Sequence, residues 1–246
     1  MGLLDLFRKS DREPGDKAAR EVARLERLVS NKLSQNLDRQ DAVQQLGRLA
    51  TSEAATALLK RFNWYLDPSI TDQEEKESAV VGIVNAGEAA LEPIRRYCLR
   101  AESLTWPLKA LEQIVHEERL VEELLLLLDQ FDTEYVRNPE PKVQLLNALE
   151  AHPSQDVRLA IEPFLEDASE PVRFAAAVAI FAMNDPDAVG PVVAAIQHEE
   201  SLRIRNRVAQ ELTTRGWEIS SELSAACIAG LPSGFRLEGG RVKLAT

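Results

Sequence analysis

Residues 170–197, EPVRFAAAVAIFAMNDPDAVGPVVAAIQ, constrain the fold more than any other stretch of the chain. Val172, Ala176, Ala179, Ile180 and Met183 recur at helical spacing, and Val189, Val192, Val193 and Ile196 do so again after the Asn184-Asp185-Pro186 turn. Two short helices, each apolar along one stripe, cannot bury both stripes against each other. Such a pair must stack on copies of itself. The periodicity predicts those copies at about 38–50 with 53–66, 73–85 with 88–100, and 104–115 with 118–130. Further pairs follow at about 141–151 with 156–167, 170–183 with 187–198, and 201–214 with 220–230. A leading helix over about 16–33 carries Val22, Leu25, Leu28 and Val29 on one face.

Composition agrees with close-packed helices, since the chain is 45% hydrophobic but only 5% aromatic. No run approaches the roughly 18 uninterrupted apolar residues of a membrane span, so no stable membrane insertion is expected. The opening MGLLDLFRKS places Asp5 inside its apolar run and Leu6 where a myristoylation signal wants Ser or Thr. It reads as a short amphipathic piece. Cys98 and Cys227 fall in apolar helical surroundings and read as buried free thiols of a cytoplasmic protein. Charge is uneven: residues 1–65 hold 12 basic against 9 acidic side chains, residues 66–171 hold 9 against 23, and residues 172–246 balance at 8 each. An acidic middle repels a phosphate backbone, so nucleic acid is not an expected partner.

Anchoring each pair on Val43, Val80, Leu108, Val143, Val172 and Ile204 gives steps of 37, 28, 35, 29 and 32 residues. A polar turn then leads into Asp156-Val157-Arg158, Pro171-Val172-Arg173 and Ile204-Arg205. On these residues the chain resembles the HEAT-repeat family over roughly residues 38–215, most clearly in the last three pairs. The segment RFNWYLDPSITD at 61–72 is similar to one carried by bacterial HEAT-repeat proteins. The resemblance implies an all-α, α-α superhelix, a HEAT-like solenoid, whose usual work is holding other proteins. The expected division is a helical cap over 1–35, a repeat array over 36–215, and a terminal helix plus β-hairpin cap over 216–246.

The tail departs from the helical pattern. Trp217-Glu218-Ile219 is short and β-prone, and residues 235–244 read as a hairpin turning at Gly239-Gly240. A cap over the last apolar face is the plainer account. The alternative is a winged-helix module with 220–230 as recognition helix, but that helix offers DNA no basic residue. Arg203, Arg205, Arg207 and Arg215 are the candidate basic cluster for an enzyme of the DNA-repair kind, though they do not share one helix face.

Catalytic motifs are scarce. His116-Glu117 and His198-Glu199 repeat a pair that HEAT-like hydroxylases use in fours to bind two irons, and here the two pairs lie more than two repeats apart. The oxygens of residues 67–75 alternate like a calcium loop without its turn glycine or its correctly placed Glu. Asp72 with Glu75 reads instead as a capping box. The expected function is therefore a non-catalytic protein-binding scaffold, with no cofactor and no metal. The metal-dependent hydroxylase, the DNA-repair enzyme and the tail-borne DNA-binding regulator stand as alternatives.

The candidate binding surface is Trp64, Tyr65, Asp67, Asp72 and Trp106. Three of the chain's thirteen aromatic residues lie within four positions at 62–65, before a connection expected to run to Gln73. Rigid aromatics beside a long loop bury much area for little entropy. Trp64 and Tyr65 folding over the next pair, touching Trp106, is the other reading of the same residues. Nearby acidic loops favour a partner with a basic patch.

Overall fold

A computed structural model describes residues 14–245. The amphipathic piece at residues 1–10 lies outside them. The described residues hold thirteen α-helices, four short 3-10 helices and one two-stranded antiparallel sheet. None of these helices is long and apolar enough to cross a membrane.

The chain divides into two compact units. The first holds α1 (Pro14–Ser30), α2 (Asn36–Leu49), α3 (Ser52–Leu59), α4 (Ser69–Asn85), α5 (Leu91–Cys98) and α6 (Thr105–Ile114). Besides touching its chain neighbours, each helix packs on the next but one: α1 on α3 and α3 on α5, α2 on α4 and α4 on α6. The sequence explains the stops. Ala50 takes a left-handed φ of 52° after α2, and the Thr51 hydroxyl then accepts the Ala54 amide at 3.2 Å to start α3. Helices α2 and α4 cross where Gly47 meets Gly82. A Cβ on Gly82 would stand 3.1 Å from the Gly47 Cα and 2.7 Å from the Leu58 Cδ1. Only hydrogen at both positions allows so close a crossing.

The second unit comprises residues 102–104 and 117–245. It holds α7 (Glu117–Leu128), α8 (Glu140–Glu150), α9 (Gln155–Ile161), α10 (Glu170–Ala182), α11 (Val189–Gln197), α12 (Leu202–Arg215) and α13 (Ser224–Gly230). The same skipping recurs, with α8 on α10, α10 on α12, α7 on α9 and α11 on α13. Val172, Ala176, Ala179 and Ile180 are buried as the stripe requires. Ser154 and Ser201 cap α9 and α12, and Gly216 ends α12 at φ 63°. Strands β1 (Phe235–Glu238) and β2 (Arg241–Leu244) pair around Gly239-Gly240, both at positive φ. Trp217-Glu218-Ile219 is not a strand, but the Ile219 amide donates to the Gly240 carbonyl at 2.7 Å and so ties this stretch to the hairpin turn. Trp217 stacks on Phe181 with centroids 5.3 Å apart.

Candidate functional site

In the first unit, the apolar stripes of α2 and α4 do not stay apolar to their ends. Ala42, Val43, Leu46 and Gly47 continue back one turn to Arg39, and Ala79, Val80 and Ile83 continue back to Asp72, Glu75 and Lys76. All four charged residues are buried, and they meet Arg61, which has no exposed surface at all. Charges so placed must be paired, because an isolated one would cost several kcal/mol of desolvation.

The pairing is dense. Glu75 takes a bidentate contact from Arg39, Nη2 to Oε1 at 2.6 Å and Nε to Oε2 at 2.9 Å. Its Oε2 also accepts Arg61 Nε at 2.8 Å. Arg61 Nη2 reaches Asp72 Oδ1 at 2.7 Å, and Lys76 Nζ reaches Asp72 Oδ2 at 2.7 Å. Backbone groups complete the set: Arg39 Nη1 donates to the Ser34 carbonyl, Arg61 Nη1 to the Trp64 carbonyl, and the Leu66 amide to Asp72. Burial alone raises the pKa of Asp72. Hydrogen bonds from Lys76, Arg61 and the Leu66 amide outweigh it, so the net shift is downward.

Three cations face two carboxylates, and the aromatic rings meet the surplus. The Arg61 guanidinium lies 3.8 Å from the Trp64 centroid, with Arg39 on the same ring at 5.3 Å. Lys76 Nζ lies 3.8 Å from the Tyr65 centroid. The negative faces of both rings thus cover positive charge. Trp64 is half-buried, whereas Tyr65 is 66% exposed. The network holds an exposed aromatic side chain on a rigid base.

Against the sequence reading, the structure brings Trp64, Tyr65 and Asp72 together through Arg61 and Lys76. Asp67 is exposed in the preceding loop. Trp106 stacks on Phe62 at 6.0 Å, with Lys109 5.3 Å from its ring. Two readings are corrected. Asp72 is not a helix cap: α4 starts at Ser69, one turn earlier, and Asp72 sits inside the helix as a buried ion-pair partner. The connection is correspondingly shorter, ending at Pro68 rather than Gln73. Arg39, Arg61, Glu75 and Lys76 were missed, although the fall of Arg39, Asp72 and Lys76 on apolar helix stripes was a visible signal.

A second regularity runs through the second unit. Lys142, in the first turn of α8, reaches Asp167 at 2.7 Å, and Arg173, in the first turn of α10, reaches Glu199 at 2.8 and 3.0 Å. Arg205, in the first turn of α12, reaches the Gly230 carbonyl at 2.7 Å. The separations are 25, 26 and 25 residues. Each cation therefore clamps the chain at the end of its own helix pair. Glu199 is raised by burial but lowered further by Arg173 and by the Ser201 and Glu200 amides. His116 and His198 are exposed, and Glu199 is engaged by Arg173. Among the described residues, no group of three His, Cys, Asp or Glu side chains is placed as metal ligands would be.

The other basic cluster is engaged internally too. Arg203 lies 3.5 Å from the Phe174 centroid, Arg207 pairs with Glu211 at 2.8 Å, and Arg215 pairs with Glu211 and donates to the Phe181 carbonyl at 2.6 Å.

No protein-family model and no curated protein matches the chain. Among solved structures it is similar to a chain described as "Computational Design of Self-Assembling Cyclic Protein Homooligomers". That chain is 14% identical, the match covers 88% of this chain and 81% of that one, and the TM-score of 0.19 carries no argument about fold or assembly.

Proposed function

We propose that the chain is a HEAT-like α-solenoid serving as a non-catalytic, cytoplasmic protein-binding scaffold, and that its partner engages the Tyr65 surface through a basic patch. The skipping contacts within each unit and the repeated first-turn clamps support the repeat reading. One observation carries the functional reading. Tyr65 is a large ring left mostly exposed, yet held over the Lys76 ammonium on a base of buried ion pairs. A pre-ordered aromatic loses little entropy on binding, which is how interface anchors work. Asp67 and Glu74, both exposed, add the negative charge a basic partner would meet.

The structure sharpens the choice of variant. Trp64 covers two buried guanidinium groups, so its removal disturbs the network itself. Tyr65→Ala removes only the outer ring, at a cost of about 1 kcal/mol or less. That variant is expected to keep a near-native melt while losing about tenfold or more in affinity for a partner isolated from the native host. Undiminished binding by Tyr65→Ala would place the interface elsewhere.

A further inference from the structure

In the second unit, a groove of about 920 Å³ runs between α7, the loop after it, and α9 with the turn that extends it. Phe131, Pro163 and Phe164 give it an apolar lining. Leu126 and Leu159 stand at its walls 51% and 49% exposed. Two large apolar side chains left half in water on the lining of one concave surface mark an interaction site more often than a plain solvated face.

The rim has one sign. Glu122, Asp129, Asp132 and Asp156 line the groove and no basic residue does. Arg119 neutralises Glu122 from outside at 2.7 Å, and Lys142 approaches Asp132 no closer than 4.0 Å. Among the described residues Asp129 and Asp156 form no ion pair. Asp129 also sits just past the C-terminus of α7, at the negative end of the helix dipole. The groove is thus greasy along its length and negative at its edges.

We infer that this groove docks a short amphipathic helix of a partner protein, one with an apolar stripe flanked by Lys or Arg. An apolar stripe laid between two helices is a recurrent mode of peptide capture, and basic flanks would meet the acidic rim. Length fits as well: α7 has 12 residues, about 18 Å, and matches about three turns of a docked helix. The inference rests on the reading of the chain as a protein-binding scaffold and deepens it, but the groove shares no residue with the Tyr65 surface.

The test uses the full chain and two labelled helical probe peptides carrying the same leucine stripe, one flanked by Lys and one by Glu. Anisotropy titration should show saturable one-to-one binding of the Lys-flanked probe, about tenfold or more tighter than its Glu-flanked counterpart. Leu126→Gln with Leu159→Gln should weaken it about tenfold, and Asp129→Lys with Asp156→Lys should abolish the preference between probes. The charge-reversal pair alters only exposed residues, so it decides the matter if the leucine variant melts early. Tyr65→Ala should bind the probe as the parent does, which separates this site from the other surface. Equal binding of both probes, or indifference to both double variants, overturns the inference. So does self-association of the parent chain that the leucine double variant abolishes, because the occupant would then be a second copy.

Discussion

Glu75 is the residue on which the first unit's polar core depends. It accepts from both Arg39 and Arg61, so Glu75→Gln leaves two buried guanidinium groups facing a neutral amide. Removing one partner from a buried pair costs about 3–5 kcal/mol, and a clear fall in the denaturant midpoint should follow. Asp72 supplies a pH signature. Its folded pKa is depressed, so its contribution is complete above the unfolded carboxyl value of about 3.9 and is lost as pH falls through the lower folded value. Thermal melts from pH 6 downward should therefore lose stability below about pH 4, and Asp72→Asn should flatten part of that fall. Little of this was legible beforehand. Arg39 and Arg61 lie 36 and 14 residues from Glu75, and nothing local in a sequence joins such positions. What could be read was the wrong polarity at the right phase: a charged residue on an apolar stripe needs a partner, and here the partners came from two other segments.

At the scale of the element, the helices were legible because apolar residues recur at helical spacing along short segments broken by polar turns. The hairpin was legible because Gly239-Gly240 supplies two positive-φ residues where a two-residue turn needs them. Boundaries were less so: α4 begins four residues before the expected start, because Asp72 lies inside the helix and does not cap it. The crossing of α2 and α4 gives a sharper test. Gly82→Ala would drive a methyl group to 2.7 Å from the Leu58 Cδ1 and 3.1 Å from the Gly47 backbone. Leu58 can swing aside, but the Gly47 Cα cannot, so the helices must separate. Overpacking of this kind costs about 1–3 kcal/mol and would pull Arg39 away from Glu75. A melt as high as the parent's would show that the crossing is slack. Helix α10 gives a second test: Val172→Asp buries a carboxylate in an apolar seam at a cost of several kcal/mol.

At the scale of the whole molecule, two compact units each repeat one packing rule, and each carries a distinct surface feature. The tail closes the second unit, with β2 against α12 and β1 against α13. Removing residues 232–246 strips Val242, itself buried, from that contact. The truncated chain should keep nearly all its helical circular dichroism but melt earlier and aggregate more readily. An unchanged melt would mean the hairpin is a separate attachment. The central claim is that the buried ion network exists to present Tyr65 to a basic partner protein. Its most direct measurement is site-specific photo-crosslinking in the native host, with the crosslinker at position 65 and, as control, at Val81, an exposed residue of α4. The account predicts one discrete protein captured from position 65 and not from position 81, with capture falling as salt rises. Capture that is absent, or equal at both positions, contradicts it.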